Sequence, residues 1–274
     1  MQAASFDYIR QMVKQQAGIV VEPGKEYLAE SRLTSLARSQ GHSATEDLVA
    51  QLRSRPFGEL HRRVVELLTT NETSFFRDQR PFEALRTEIL PKLFASRPDR
   101  RLTIWCAAAS SGQEPYSLAM LIREHFPQAA SRVRIVASDI SREMLARTER
   151  GTYSQFEVGR GLPATMLAKY MTMVGGEYQV RPELRAMLDL REINLATQFP
   201  PLPPIDVLLV RNVLIYFDLE TKRDILSRMR RALSPDGAVI LGGAETTLGI
   251  DVDLERCTGA NKAVWYQPNR KELR

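Results

Sequence analysis

The sequence predicts an α/β protein built on a doubly wound, Rossmann-like sheet, with an all-helical domain in front of it and a small antiparallel β-subdomain inserted in it. From Arg101 onward, short apolar runs alternate with amphipathic stretches, the pattern of parallel strands joined by crossover helices. Residues 1–70 show helical periodicity instead. Between Gly151 and Leu195 the rhythm breaks, and residues 170–180 read as a hairpin turning at Gly175-Gly176.

In chain order, Phe6, Ile9, Met12 and Val13 are spaced for one face of a first helix. Gly41 reads as a helix stop, Ser43-Ala44-Thr45-Glu46 has capping-box spacing, and Pro56-Phe57-Gly58 breaks the chain before a last helix from Glu59 to Thr70. Residues 71–80 are a linker that contributes to a site, and 81–274 form the α/β domain, with the insert at about 151–193. The expected strands are 102–107, 133–137, 205–210 and 238–241, with 263–267 a candidate for the sheet edge.

A chain of 274 residues with 43% hydrophobic residues has enough apolar material for a sizeable core. Its longest apolar stretch, near Ile205 to Phe217, is broken by Asp206, Arg211 and Asn212, so no membrane-spanning helix is expected. The N-terminus lacks the basic and apolar regions of a secretory signal, which makes the cytoplasm the expected compartment. Cys106 and Cys257 have no paired spacing, so we expect reduced, buried thiols and no metal site. The net charge of +5 suits an anionic partner without saying which kind. His42, His61 and His125 lie away from every motif and are expected at the surface.

Four segments carry the candidate chemistry. After the first strand, the small residues of Ala107-Ala108-Ala109-Ser110-Ser111-Gly112 let a ligand approach the backbone at the sheet's carboxyl edge. The next acid, Glu114, disfavours a pyrophosphate and suits a cationic ligand. It also fits a capping box with Ser111, or the cap position itself if Pro115 opens the helix. Asp139 ends the second strand, where an acid holds ribose hydroxyls or caps the next helix. Arg211 and Asn212 follow a buried strand and need partners, either a ligand or a carboxylate such as Asp218. Asn71, Thr73 and Arg77 sit at the junction between domains, with Phe75 and Phe76 as interdomain packing.

Asn71-x-Thr73-x-Phe75-Phe76-Arg77-Asp78, the segment from Trp105 to Ser117, and Arg211-Asn212-Val213-Leu214-Ile215-Tyr216-Phe217-Asp218 together resemble the CheR family of chemotaxis receptor methyltransferases. The resemblance covers nearly the whole chain and departs at Gln113, where the family more often has glutamate. It implies a receptor-facing helical domain, a class I methyltransferase domain, S-adenosyl-L-methionine as cofactor and S-adenosyl-L-homocysteine as product. The implied reaction forms methyl esters on chemoreceptor glutamates. By motif position it implies cofactor binding at Asn71, Thr73, Arg77, Glu114, Asp139, Asn194, Leu195, Arg211 and Asn212, with Arg77 and Tyr216 nearest the transferred methyl. The implied partner is the receptor's cytoplasmic helical bundle, with a receptor tail on the β-subdomain; Arg32, Arg38, Arg53, Arg55, Arg62 and Arg63 are candidates for meeting the bundle, or for a solvated surface of mixed charge. A monomer with no nucleic-acid partner and no membrane insertion is expected.

A glutamate acceptor is already ionised at neutral pH, its pKa being about 4.3, so the reaction needs no general base. Carboxylate attack on a sulfonium methyl neutralises two charges, and alignment with exclusion of water should dominate, at effective molarities of about 10⁵–10⁸ M. A nucleic-acid amino methylase would carry an Asp/Asn-Pro-Pro-aromatic motif after the fourth strand, whereas Pro203 and Pro204 precede that strand here. A non-catalytic cofactor-binding module is the other alternative, and the intact motif set argues against it.

Overall fold

The structure is a computed structural model in which residues 1–269 are described. The chain forms two compact units. One comprises Met1–Thr70 with Asn194–Gln198 and Tyr216–Lys222; the other comprises Asn71–Ile193, Phe199–Ile215 and Arg223–Arg274.

The first unit is helical: α1 (Ala3–Ala17), α2 (Glu26–Ser39), α3 (Thr45–Arg53) and α4 (Glu59–Leu68). Phe6, Ile9, Met12 and Val13 are buried as their spacing predicts, and Leu33, Leu36, Leu48, Leu52, Val64 and Leu68 are buried in the other three helices. Gly18 ends α1 at φ 70°, where a Cβ would lie 2.9 Å from that of Ala196. The expected capping box before α3 does not form: Ala44 is the cap residue, and Glu46 instead accepts from Gln2 N at 2.7 Å and from the Ser5 hydroxyl. His61 is buried, not at the surface; its Nδ1 accepts from Gly58 N and its other ring nitrogen pairs with Leu52 O. Arg32 donates to the carbonyls of Leu68 and Thr69 at the end of α4, and Arg53 donates to Ala4 O. Both therefore have structural partners.

The second unit opens with α5 (Gln79–Ala84), a π-helical turn over Leu85–Ile89 and α6 (Leu90–Ser96). It then runs through β1 (Leu102–Ala107), α7 (Gln113–His125), β2 (Val133–Asp139), α8 (Arg142–Arg150), β3 (Thr152–Tyr153), α9 (Gln155–Gly159), α10 (Ala164–Tyr170), β4 (Met171–Val174), β5 (Glu177–Val180), α11 (Pro182–Arg185), β6 (Leu188–Glu192) and β7 (Ile205–Val210). α12 (Leu219–Ala232, in this unit from Arg223 on), β8 (Leu233–Leu241), β9 (Leu254–Thr258) and β10 (Val264–Pro268) complete it. The main sheet has the order β6-β2-β1-β7-β8-β10-β9, with β1, β2, β6, β7 and β8 parallel. The chain winds outward from β1 to one side and then from β7 to the other, which puts the topological switch point between β1 and β7.

β1 and β7 are buried at every residue, which is why they read as largely apolar runs interrupted only by Thr103 and Asp206. Asp206, the acid inside β7, is fully buried and accepts from Thr103 N at 2.8 Å and Ser234 Oγ at 2.9 Å, with Arg97 and Arg100 ion-paired to it. The Gly175-Gly176 hairpin forms as expected and, with β3, makes a three-stranded sheet ordered β3-β5-β4. Three expectations change. The insert's sheet ends at Val180, and Leu188–Glu192 instead forms the edge of the main sheet. The last strand lies between β8 and β9, and β9 is the edge. Cys257 is only partly buried. Among the described residues, no helix is long and apolar enough to cross a membrane.

Asp218 caps α12, accepting from Thr221 N at 2.9 Å, and pairs with Lys14 at 3.0 Å. The Thr221 hydrogen bonds, and Lys14 after them, lower its pKa from 3.8 to about 2. A depressed folded-state pKa adds stability above the unfolded value that is lost as pH falls through the folded one. The stability difference between the parent and Asp218→Asn should therefore shrink from about pH 4 down to about pH 2, as followed by urea unfolding midpoints. A difference that stays constant across that window would remove the ionic role.

Candidate active site

The carboxyl end of β1 runs straight into a tight turn. Ala108 and Ser110 take positive φ, at 56° and 51°, and Gly112 reaches 94°. A Cβ on Gly112 would stand 2.6 Å from Thr148 Cγ2, so only glycine lets the turn close onto α8. Gly112, not Glu114, precedes α7, and no side chain caps that helix; the Ser111 hydroxyl donates to Gln113 Oε1. Both capping roles expected for Glu114 are therefore absent. The turn is held from several sides: Ala109 N donates to Ser138 O, the Tyr153 hydroxyl to Ser111 O at 2.6 Å, and the Thr148 hydroxyl to Ser110 O.

Asp139, at the end of β2, accepts from Ser110 N at 2.8 Å and from Ser141 N at 2.9 Å, tying the two strand ends together. Ser141, not Asp139, caps α8, accepting from Met144 N. Asn71 O accepts from the Ser110 hydroxyl at 2.8 Å, and Phe76 N donates to Ser117 Oγ at 2.9 Å, which fixes the 71–78 segment against the same turn. Phe75 is fully buried in this unit's own core, edge-on to Tyr153, and Phe76 packs on Phe82. Thr73 and Arg77 lie in this segment half-buried, and Arg77 Nη1 donates to Glu72 O.

Arg211 follows β7 and is the electrostatic centre of the site. Its side chain is 2% exposed; Nη1 donates to Glu114 Oε2 at 2.6 Å, and Nη2 to Asp78 Oδ2 at 2.9 Å and to Arg77 O at 2.8 Å. Its partners are thus Glu114 and Asp78 rather than Asp218, and Nε is buried without a partner. Glu114 keeps Oε1 without a partner among the described residues, a carboxylate oxygen beside a charge-compensated pair. Burial first, and then the Glu114 carboxylate, push the neighbouring Cys106 thiol up, so it stays protonated and serves as packing.

One central residue was not visible in the sequence. Glu245 accepts five backbone N–H bonds: from Asn212 and Gly242 at Oε2 (2.7 and 2.8 Å) and from Val213, Leu214 and Ile215 at Oε1 (2.9, 2.7 and 3.3 Å). It holds Asn212 at φ 57°. Four of its five partners lie some thirty residues back along the chain, so no local spacing announces them.

The second unit thus brings together Asn71, Glu114, Asp139, Arg211 and Asn212 through a connected network, with Thr73 and Arg77 on the bound segment. Asn194, Leu195 and Tyr216 belong to the helical unit. There both polar atoms of the Asn194 side chain are engaged, Nδ2 donating to Gln16 O at 2.6 Å and Oδ1 accepting from Ala196 N. Tyr216 O accepts from Val20 N, and its hydroxyl has no partner among the described residues.

An open sheet wound this way, with a small-residue turn at its switch point, an acid ending the next strand and a carboxylate able to meet a cation, has the donor set for a sulfonium nucleoside and defines the class I S-adenosylmethionine-dependent methyltransferases. The family model described as "CheR methyltransferase, SAM binding domain" matches residues 71–264, and "CheR methyltransferase, all-alpha domain" matches 4–69. The chain belongs to the CheR methyltransferase family. It is similar to chemotaxis protein methyltransferase 1 of Pseudomonas aeruginosa, at 41% identity over 88% of this chain and 90% of that protein. It is also similar to chemotaxis protein methyltransferase Cher2 of Pseudomonas putida, at 38% over 89% and 91%, and to the Escherichia coli chemotaxis protein methyltransferase, at 34% over 88% and 84%.

Proposed function

We propose that the protein transfers the methyl group of S-adenosylmethionine to ionised glutamate side chains on the cytoplasmic helices of chemoreceptors, leaving glutamate methyl esters. The observation that carries this is the Glu114–Arg211 pair at the switch point, with Glu114 Oε1 left over. When bound, the cofactor supplies a methyl group on a positively charged sulfur. Glu114 would hold the cofactor's cationic part, and Asp139 the ribose hydroxyls. Arg211 acts through Glu114, fixing that carboxylate and the backbone of residues 77–78. By motif position, Asn212 and the 71–73 segment would also contact the cofactor, as would Asn194 and Leu195. Arg77 and Tyr216 orient the acceptor carboxylate. Neither is needed as a base, because the acceptor arrives ionised.

The test incubates the protein with methyl-labelled cofactor and a receptor cytoplasmic fragment. The label should appear on the receptor, be released as methanol by mild alkali, and vanish when the acceptor glutamates are changed to alanine. Label on nucleic acid, or label that resists alkali, would overturn the reading. In the same assay Tyr216→Phe should lower kcat by roughly tenfold with affinity for S-adenosylhomocysteine unchanged. Unaltered turnover would withdraw the role given to Tyr216 alone.

A further inference from the structure

The amino ends of β1, β2 and β6 border a cleft of about 760 Å³ at the pole of the sheet opposite the site described above. Four arginines line it, Arg101, Arg123, Arg134 and Arg191, against two carboxylates, Glu183 and Asp189. Asp189 is already paired with Arg191 at 2.9 Å. Arg123 makes only a long contact, 3.4 Å, to Glu183 O, and its Nε is buried without a partner. Arg101 and Arg134 have no ion pair or hydrogen bond among the described residues. The cleft therefore holds more cationic charge than its own acids answer.

Beside these arginines runs an open strand edge. Among the described residues β6 pairs only with β2. Met187 O accepts from Ile135 N and Ile193 N donates to Asp139 O, both at 3.0 Å, so these two odd-numbered residues face β2. Strand alternation then turns the N–H and C=O groups of Leu188, Leu190 and Glu192 outward. Among the described residues nothing pairs with these groups. An unpaired edge is a template for another chain unless something covers it.

We propose that β6 and the arginines at its amino end dock an acidic peptide in extended conformation, which adds to the main sheet as a further strand. The open backbone groups select a peptide over a phosphate compound, which has no ladder to offer, and the surplus arginines select acidic side chains. The six-residue length of β1 separates this pole from the cofactor pole by about 20 Å, so docking and methyl transfer can proceed together.

The experiment measures fluorescence anisotropy of a labelled short peptide alternating glutamate and valine, titrated with the full chain. Saturable binding is expected, with none for the peptide alternating lysine and valine. Arg101→Glu with Arg134→Glu should weaken binding at least about tenfold while calorimetric affinity for S-adenosylhomocysteine stays at the parent value, which shows the fold and the other pole intact. N-methylation of the peptide's backbone amides keeps its charge and removes its ladder donors, and should weaken binding by at least about tenfold. Equal affinity for the methylated peptide, displacement by inorganic pyrophosphate as effective as by unlabelled peptide, or the absence of saturable binding would each overturn the proposal.

Discussion

Arg211→Ala should abolish most of the activity and destabilise the α/β unit by about 3 kcal/mol, the range found when one partner of a buried ion pair is removed. The guanidinium joins Glu114, Asp78 and the carbonyl of Arg77 in one planar fork, and alanine leaves Glu114, only 13% exposed at its side chain, without a cation. Without the guanidinium the Glu114 carboxylate loses the hydrogen bond that fixes its orientation, so it no longer presents the same face to a cationic ligand. We expect S-adenosylhomocysteine affinity to fall by at least roughly 100-fold, the equivalent of about 2.7 kcal/mol. Arg211→Lys should restore part of the stability and little of the affinity, because one ammonium cannot serve three acceptors in a fixed fork. Calorimetry with the product and thermal unfolding give both numbers; parent-like affinity in Arg211→Ala would show that the pair only supports the fold.

Glu245→Ala should have the second largest effect. It strips the acceptor from five backbone N–H groups at once. Leaving a buried donor unpaired costs about 1–3 kcal/mol, and since water can reach the outermost of these, Ile215, a loss on the order of 3 kcal/mol is expected rather than the full sum. Because the same carboxylate holds Asn212 in its left-handed conformation, product affinity should fall with stability. Glu245→Gln separates the two effects: it keeps an oxygen for one cluster of donors and turns an amide nitrogen toward the other. A urea midpoint for Glu245→Ala within error of the parent would mean that the loop after β7 is held by its packing alone.

How much of this was legible in the sequence depended on whether the deciding contacts were local. β1 and β7 are buried on both faces, so largely apolar runs located them to the residue despite Thr103 and Asp206. β6 reads Leu-Asp-Leu-Arg-Glu and lies half-open at an edge, so it carried too little apolar signal and was absorbed into the insert. β9 is polar for the same reason. Ser43 and Glu46 have the spacing of a capping box, but the glutamate is engaged by Gln2 and Ser5, more than forty residues away. Glu114 shows the same competition, its carboxylate going to Arg211 across ninety-seven residues rather than to its own helix. Motif positions named the candidate residues, while tertiary partners determined what each side chain contacts.

The Tyr153 hydroxyl, which reaches from the small sheet to Ser111 O, bears on how the enzyme can be re-engineered. Tyr153, Tyr170, Met171 and Val180 are all part of the main core, so the insert is rooted in the domain rather than attached to it. Excising the hairpin between Gly151 and Leu184 to obtain a minimal catalyst would open a hole beneath the turn after β1. Grafting it onto a foreign scaffold would transplant a ribbon without its keel. Domain-shuffling schemes for this protein should keep the two together and cut elsewhere.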